Sequence, residues 1–232
     1  MGFVFPPRCL CCGDFVRDGP WFFICRDCRL KINTIPFPAC IPCGSPMEKG
    51  VRAESCCARC RSGVWNFGKA IAVGTYDGPM AELIRQFKFR GRTEVSAFGG
   101  QLMASSLQKE TAPGSYDLLV PVPLHIRRLR QRGFNQSLLL AREMERIIGI
   151  AVAPLALRRH RWTNPQPGLD EKSRRENVLG AFETPEPSRI RDRRVLIIDD
   201  VLTTGHTVNE CAATLLANGV RTVDVVTLAR VA

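Results

Sequence analysis

Long hydrophobic runs are missing from this 232-residue chain. No segment approaches the ~20 consecutive apolar residues that a membrane-spanning helix requires. Residues 1–7 have neither the basic region nor the apolar run of a secretory signal, and Pro6 stands where a myristoylation motif has Ser or Thr. We therefore expect a cytoplasmic protein that does not insert into membranes.

Two common nucleotide-binding motifs are also missing. No G-x-G-x-x-G segment follows an expected strand, which argues against a dinucleotide-binding fold. The nearest approach to a P-loop is Gly63-x4-Gly68-Lys69, but Ala70 replaces the magnesium-binding hydroxyl and the segment precedes a strand instead of following one. Both types of nucleotide site are therefore disfavoured.

Aromatic residues are scarce, at 7% of the chain, whereas basic residues are in excess and give a net charge of +11. Residues 121–180 hold 12 basic and 5 acidic side chains, a surplus of 7. Such a surplus is typical of surfaces that bind phosphate, pyrophosphate or nucleic acid, and it is also what a solvated basic face has. The few aromatic residues argue against a long base-stacking track for single-stranded DNA.

Cysteine is nearly absent after residue 60, where only Cys211 remains, in an apolar helical pattern typical of a core position. The other ten cysteines include four C-x2-C pairs, separated by spacers of 12, 11 and 13 residues. Eight thiolates at this spacing predict two tetrahedral Zn²⁺ sites in consecutive zinc ribbons. We assign one site to Cys9, Cys12, Cys25 and Cys28 and the other to Cys40, Cys43, Cys57 and Cys60; an interleaved pairing stays open.

A disulfide framework is the alternative for these cysteines, but it needs an oxidising compartment and no export signal is present. Gly13 and Gly44 follow two of the pairs directly, which suits the tight turn of a zinc knuckle. Cys11 and Cys56 are left over, and Cys56 could replace Cys57 in a longer knuckle. We expect residues 1–64 to form a double zinc-ribbon domain that metal stabilises and whose role is structural or protein-contacting.

The remainder, residues 65–232, alternates apolar strands with amphipathic helices, which predicts an α/β domain with a mainly parallel sheet. Strands are expected at 70–76, 117–123, 153–158, 194–200 and 223–229, and helices at 77–88, 136–148, 171–179 and 207–218. The residues expected to face inward on the second and last helices are Leu140, Met144, Ile147 and Ile148, and Val208, Cys211, Ala212, Leu215 and Leu216.

The stretch "VLIIDDVLTTGHT", residues 195–207, carries the clearest chemistry. Ligands of parallel sheets bind at the carboxyl ends of the strands, where Asp199 and Asp200 would emerge as an exposed acid pair. Residues 203–207 then bend into a helix N-terminus, with Thr207 as the expected N-cap, and offer backbone N–H groups and hydroxyls to a phosphate. Carboxylates beside a phosphate site suit the two adjacent hydroxyls of a ribose 5-phosphate.

This stretch resembles the phosphoribosyl-pyrophosphate (PRPP) signature of type I phosphoribosyltransferases. Three further segments resemble the ComF family of competence and DNA-uptake proteins: "YDGPMAELIRQFKFRGR" (76–92), "VPVPLHIRRLRQRGFNQS" (120–137) and "RWTNPQPGLDEKSRRENVLGAF" (161–182). The resemblance covers nearly the whole chain. It implies a Rossmann-like type I phosphoribosyltransferase domain at 65–232, preceded by a small double zinc-ribbon domain at 1–64.

The resemblance also implies roles for individual residues. Asp199 and Asp200 would hold the ribose hydroxyls, and Thr203, Thr204, Gly205, His206 and Thr207 would hold the 5-phosphate. Arg130 and Arg132, expected in a loop, would bind pyrophosphate, and Lys172 and Arg174 would bring charge on a flexible lid at 162–176. Asn135 is expected to cap a helix.

Two functions stay open at this point. One is Mg²⁺-dependent transfer of a phosphoribosyl group from PRPP to an unknown acceptor. The other is a non-catalytic protein that binds PRPP, a phosphoribosyl nucleotide or single-stranded DNA, together with DNA-uptake proteins.

Overall fold

The computed structural model describes residues 7–17, 19–35, 39–47, 56–61, 63, 65–162, 176 and 178–231. Six strands lie in these ranges: β1 Ala70–Thr75, β2 Leu118–Pro121, β3 Arg158–Arg159, β4 Phe182–Glu183, β5 Arg194–Leu202 and β6 Thr222–Arg230. The α-helices are α1 Arg26–Leu30, α2 Ala58–Arg61, α3 Gly78–Arg90, α4 Val95–Glu110, α5 Ile126–Arg132, α6 Gln136–Ile148 and α7 His206–Ala217. A 3-10 turn spans Pro187–Arg189.

Four strands form one parallel sheet in the order β1-β6-β5-β2. β5 lies inside the sheet, and its end is level with the end of β6, because Leu202 pairs with Arg230. The expected α/β domain with a parallel sheet is therefore confirmed. Because the strands are parallel, the segments that follow β1, β2, β5 and β6 all lie at the carboxyl-terminal edge of the sheet, where the strands end.

Both faces of this sheet are covered. Along β5, Val195 and Ile197 pack with α7 on one face, whereas Leu196 and Ile198 pack with α4 and α6 on the other. All four side chains are fully buried, as a strand that is apolar on both faces requires. Cys211 of α7 is also fully buried, which confirms its expected core position.

Helix α4 was not expected from the sequence. It contains Gly99-Gly100, and glycine in a helix interior costs about 1 kcal/mol relative to alanine. A Cβ on Gly100 would lie 2.4 Å from the Cβ of Glu143, and one on Gly99 would lie 2.8 Å from Leu140 Cδ2. The two glycines therefore let the backbones of α4 and α6 approach closely, and this packing offsets the poor intrinsic helix propensity.

Two of the expected elements need correction. Residues 153–158 are not a strand: Val152 makes a single bridge to Leu119 of β2, a turn follows at 154–156, and β3 then pairs antiparallel with β4. The Pro154 ring fixes the backbone and removes a donor, which favours that turn. Most of the helix expected at 171–179 lies outside the described residues. Of its described positions, 176 and 178 are helical.

The expected inward faces of α6 and α7 are correct except at their ends. Leu140 and Met144 are fully buried, but Ile147 is 45% exposed. On α7, Val208 and Leu215 are buried, whereas Leu216 is 36% exposed. The apolar residues of a helix with 3.6 residues per turn do not all point in the same direction. Ile147 and Leu216, near the ends of their helices, therefore lie at the side of the apolar stripe and are partly exposed.

The outer edge of β1 is hydrogen-bonded to the N-terminal module, through residues on both sides of positions 36–38. Ile35 N donates to Val73 O at 3.0 Å, Thr75 N donates to Asn33 O at 3.0 Å, and Ala70 N donates to Ile41 O at 3.0 Å. At the opposite edge, Leu119 of β2 bonds to the backbone of Ala151 and Ala153. Both edges of the sheet are thus hydrogen-bonded to irregular backbone.

The first ribbon docks on α4 through aromatic rings. The ring centroids of Trp21 and Phe23 lie 5.5 Å and 6.3 Å from that of Phe98. Cys9, Phe23 and Cys28 consequently belong to the same buried cluster as the core of the larger domain. No helix in the described ranges combines the length and the apolar character that crossing a membrane requires.

Candidate functional site

Two groups of four cysteines are assembled as the spacing predicts. One is Cys9, Cys12, Cys25 and Cys28, and the other is Cys40, Cys43, Cys57 and Cys60. Within each group the sulfur atoms lie within 4.8 Å of one another. A tetrahedral zinc site with Zn–S bonds of about 2.3 Å places its sulfurs about 3.8 Å apart. The Cys12–Cys25 and Cys43–Cys57 sulfur distances are 3.8 Å and 3.7 Å, so the residues fit two Zn²⁺ ions and the pairing is not interleaved.

The knuckles have the backbone that thiolate ligands require. Gly13 and Gly44 have φ values of 81° and 64°, in the left-handed region that favours glycine. The backbone N–H groups of Cys25 and Cys57 donate to the sulfurs of Cys9 and Cys40 at 3.4 Å and 3.3 Å. A Cβ on Gly44 would also lie 2.8 Å from the carbonyl oxygen of Ala70, so this knuckle lies directly against β1.

The two remaining N-terminal cysteines lie outside these groups. The thiol of Cys11 donates to the carbonyl of Pro79, at the start of α3, at 3.6 Å. Cys56 packs against the buried cysteines of the second group without joining it. The fourth-pair ligand is therefore Cys57, and the alternative in which Cys56 takes its place is not required.

The acid pair lies near the carboxyl end of β5, which runs two residues further than expected, and it is not exposed. Asp200 is buried, with 2% of its surface accessible, and Asp199 is half-buried. Asp199 Oδ1 accepts from Ser137 Oγ and from the backbone N–H of Asp200, both at 2.9 Å. Asp200 Oδ2 lies 2.9 Å from Lys88 Nζ. The expectation of an exposed pair was wrong because α3 and α6 cover this edge of the sheet.

Burial and the neighbouring charge of Asp200 raise the pKa of Asp199 to about 7. The charge of Lys88 and the hydrogen bonds from Ser137 and the Asp200 backbone oppose this rise. The Asp199 carboxyl therefore changes its charge near neutral pH, which makes the pair a functional-site candidate on electrostatic grounds as well.

The β5–α7 loop, residues 203–205, leads directly into α7. The helix begins at His206, and Gly205 is its N-cap with φ 85° and no capping side chain. Thr207 is therefore not the N-cap but lies in the first turn, because the left-handed glycine ends the loop two residues earlier. The loop and the first turn bring Thr203, Thr204, Gly205, His206 and Thr207 together at a helix N-terminus, where backbone N–H groups attract anions.

Residues from outside the signature contact this loop and the helix that follows it. A Cβ on Gly205 would lie 2.7 Å from Trp65 Cζ3, so the indole ring fills the space beside the glycine. The backbone N–H of Asn66 donates to Asn209 Oδ1 of α7 at 2.7 Å. Arg230, at the end of β6 and 4% exposed, donates from Nη1 to the carbonyl of Thr203 at 3.2 Å.

A basic cleft of about 500 Å³ opens beside the acid pair. Its polar lining includes Lys88, Arg128, Gln131, Arg132 and Gln136. Residues 126–132 form the helix α5 and not the expected loop, and residues four apart share a helix face. Arg132 and Arg128 therefore both line the cleft, whereas Arg130 is exposed and is not among the lining residues.

Arg132 is held in the cleft, where its Nη1 donates to Gln136 Oε1 at 2.6 Å. Burial lowers its pKa, against the attraction of Asp200 and together with the repulsion of Arg128. Asn135 caps α6 as expected, because its Oδ1 accepts from Ser137 N at 3.0 Å. Its Nδ2 donates to Val122 O at 3.0 Å and so ties α6 to the end of β2.

Three site residues come from outside the segments to which sequence reasoning assigned roles: Lys88 on α3, Arg159 on β3 and Arg230 on β6. Burial lowers the pKa of Arg159, which lies close enough to the acid pair for the charge of Asp199 to oppose that effect. A charged residue at the end of an otherwise apolar strand, as in "VVTLAR", was the available signal for Arg230. Lys172 and Arg174 lie outside the described residues.

The aromatic residues near basic groups divide into two kinds. Phe87 is a fully buried core residue, and its ring centroid lies 5.5 Å from that of the half-buried Phe134, which packs against the core. Phe89 is 72% exposed, lines the cleft, and has the Arg132 guanidinium 5.7 Å from its ring centroid. Trp162 lies 5.1 Å from the ring of His125.

Comparisons with known proteins agree with this architecture. A double zinc ribbon domain family matches residues 1–65, and a phosphoribosyl transferase domain family matches residues 135–232. Competence protein F of Haemophilus influenzae is 31% identical over 211 residues, which cover 89% of this chain and 90% of that protein. DNA utilization protein YhgH of Escherichia coli O157:H7 is 35% identical over 228 residues, with 97% of each chain covered.

Among solved structures, a glutamine PRPP amidotransferase from B. subtilis, complexed with ADP and GMP, is similar to this chain. The matched region covers 62% of this chain and 30% of that protein. Its sequence identity is 18% and its TM-score is 0.42. The domain families and the two curated relatives are sufficient for the family assignment.

Proposed function

Because this chain belongs to the ComF family, which joins a double zinc ribbon to a phosphoribosyltransferase domain, we propose that it binds PRPP with Mg²⁺ and transfers the phosphoribosyl group to an acceptor. The names of its relatives, competence protein and DNA utilization protein, favour an acceptor met during the uptake or reuse of DNA, in the cytoplasm. The acceptor itself is not specified by these names.

One observation carries the proposal: an acid pair, a helix N-terminus and a basic cleft meet at one edge of the sheet. Asp199 and Asp200 lie near the carboxyl end of β5, the β5–α7 loop begins three residues after Asp200, and the cleft with Arg132 adjoins Asp200. A ribose 5-phosphate that carries a pyrophosphate has three corresponding parts: vicinal hydroxyls, a phosphate and a second anionic group. The site therefore matches PRPP better than it matches a simple phosphate.

The acid pair would orient the ribose. The carboxylates of Asp199 and Asp200 would accept hydrogen bonds from its two hydroxyls, in place of the present partners Ser137 and Lys88. The loop at 203–205 and the first amides of α7 would donate to the 5-phosphate. Holding both ends of the sugar would fix its anomeric carbon in position for attack.

Pyrophosphate would leave toward the basic cleft. As the bond from the anomeric carbon to oxygen breaks, negative charge grows on that oxygen, and Arg128 and Arg132 would stabilise it. Lys88 would turn from Asp200 to the same group once the ribose hydroxyls replace it. Mg²⁺ would supply further neutralisation of the pyrophosphate. Arg130 would contribute only at long range from its exposed position, and Lys172 and Arg174 remain proposed lid residues.

The test is calorimetric titration of Mg²⁺ and PRPP into the zinc-loaded protein. Saturable binding is expected, and the Asp199→Asn/Asp200→Asn variant should lose it because its amides are weaker acceptors. The matched control is Asp192→Asn, an exposed aspartate at a turn of the same domain, which should bind as the wild type does. A folded wild-type protein that does not bind PRPP would refute the proposal.

A second function is favoured by Phe89. An exposed ring above a basic cleft is what base stacking on single-stranded DNA requires. If the cleft binds DNA, Phe89→Ala should weaken binding of an oligonucleotide, and the affinity should fall steeply with salt. Phe15→Ala is the control, since Phe15 is 44% exposed beside Arg8 in the first ribbon and lies in a similar cation–π pair. Equal binding by both variants would exclude the cleft as a DNA site.

A further inference from the structure

The second zinc site and the β5–α7 loop are joined by a chain of polar contacts. Ser45 Oγ lies 3.1 Å from Cys43 Sγ, a ligand of the second site. Arg230 Nε donates to Ser45 Oγ at 2.6 Å, and Arg230 Nη1 donates to the carbonyl of Thr203 at 3.2 Å. One guanidinium therefore reaches from the ribbon to the first residue of the loop.

The burial of Arg230 needs a compensating charge. Only 4% of this residue is exposed, and no carboxylate in the described ranges lies within 4 Å of it. A buried cation without an anionic partner is costly. A zinc ion with four thiolates carries a net charge of −2, and the second cysteine group is the nearest such assembly, with Ser45 between. With Zn²⁺ bound, the second ribbon would thus supply negative charge that favours the buried position of Arg230.

Two further contacts from the residues that follow the second ribbon reach the loop and the helix after it. Trp65 follows the second ribbon, packs against its buried cysteines and fills the space beside Gly205. Asn66 fixes α7 through Asn209. By contrast, the first ribbon contacts Pro79 of α3 through Cys11 and Phe98 of α4 through Phe23.

From this arrangement we infer that the second ribbon, through Ser45, Arg230 and Trp65, sets the conformation of the β5–α7 loop and so controls binding of the ribose 5-phosphate group. Arg230 and Ser45 are positioning residues in this scheme, since they act through the loop backbone. The inference rests on the proposed function for the identity of the ligand. The effect of the ribbon on the loop itself does not depend on any ligand.

The first experiment therefore uses no ligand. Amide hydrogen exchange of residues 203–207 is measured in the zinc-loaded full chain, and Ser45→Ala should speed it roughly tenfold because the loop loses its anchor. Asp14→Ala is the matched control, since Asp14 has the same place after the first knuckle that Ser45 has after the second. Unchanged exchange in Ser45→Ala, or equal acceleration by Asp14→Ala, would overturn the inference.

The second experiment separates the two halves of the site with ribose 5-phosphate and inorganic pyrophosphate as probes. Ser45→Ala and Arg230→Lys should bind ribose 5-phosphate roughly tenfold more weakly and pyrophosphate as the wild type does. Lysine keeps the charge but cannot reach both Ser45 and Thr203. If Arg230→Lys does not fold, Ser45→Ala alone decides.

The outcomes distinguish this inference from the proposed function. Equal weakening of both probes in a folded variant would mean general damage and would overturn a specific role for the ribbon. A wild-type protein that binds neither probe would refute the proposed function, while the exchange measurement would still decide whether the ribbon orders the loop.

Discussion

The two zinc ribbons are alike in ligands and knuckles but are attached to the larger domain in different ways. The first rests on α4 through Trp21 and Phe23, and its contacts are largely apolar. The second contacts β1 through Gly44 and the β5–α7 loop through Ser45 and Arg230, and the latter contacts are polar. Apolar packing mainly stabilises, whereas directed hydrogen bonds also fix the geometry of their partners. The same module can therefore serve stability at one place and a binding site at another.

The largest effect on stability should come from the first ribbon. Phe23→Ala removes a ring that is 6% exposed and packs on Phe98, and such truncations cost about 3–5 kcal/mol of unfolding free energy. The affinity of the folded variant for ribose 5-phosphate should not change. Urea unfolding and calorimetry measure the two quantities. Phe22→Ala, at a neighbouring residue that is 63% exposed, should cost less than ~0.5 kcal/mol.

The next effect concerns the loop that the second ribbon contacts. Gly205→Ala places a Cβ 2.7 Å from Trp65 at a φ of 85°, and the left-handed conformation alone costs about 1–2 kcal/mol. We expect a larger loss of stability than that, together with weaker binding of ribose 5-phosphate. The control is Gly114→Ala, where φ is 76° and a Cβ would meet nothing within 4 Å. Equal losses of stability in the two variants would show that the contact with Trp65 does not contribute to the effect.

A smaller effect on affinity should follow from a change of pH, through the acid pair. The described contacts of the two ribbons do not reach this part of the site. Because burial raises the pKa of Asp199 to about 7, its carboxylate is lost as the pH falls through that value. Affinity for PRPP should therefore drop by roughly tenfold between pH 8 and pH 6. The same raised pKa stabilises the folded protein at low pH, and this contribution disappears as the pH rises toward 7.

Calorimetry from pH 6 to 8 measures this dependence. Ser45→Ala should show the same slope as the wild type, and Asp199→Asn should lose the part of it that Asp199 causes. A slope that changes in Ser45→Ala would contradict the separation between the ribbon and the acid pair.

The smallest effect is expected at the cysteine beside the first site. Cys11→Ser should cost at most about 1 kcal/mol, because only a weak thiol hydrogen bond to Pro79 and partial packing change. Zinc content, measured by atomic absorption, should stay at two per chain. Cys12→Ser should lower it to one, since Cys12 belongs to the four-sulfur group. Loss of zinc in Cys11→Ser would mean that Cys11 is a ligand.

Much of the fold could be read from the sequence because its signals are local. The strands β1, β2, β5 and β6 are short apolar runs bounded by Gly, Pro or charged residues, and α6 and α7 have clear helical periodicity. Helix α4 could not be predicted, since Gly99 and Gly100 are poor helix formers alone. Their helical state depends on the contact with α6, which is a tertiary effect.

The candidate site beside the acid pair could be predicted only where its residues are contiguous in sequence. Asp199, Asp200 and residues 203–207 form one segment with a recognisable chemical order. Lys88, Ser137 and Arg230 come from three other elements, and only the sheet order brings them to the same edge. The burial of the acid pair was missed for the same reason.

The covered edge of β1 has a consequence for the chain as a whole. An outer strand with free N–H and C=O groups pairs readily with other chains, and proteins block such edges to prevent aggregation. Here Asn33, Ile35 and Ile41 of the N-terminal module hydrogen-bond to that row of groups. The N-terminal module therefore also shields the sheet from self-association, and a chain cut before β1 would be poorly soluble because of its backbone, whatever its side chains.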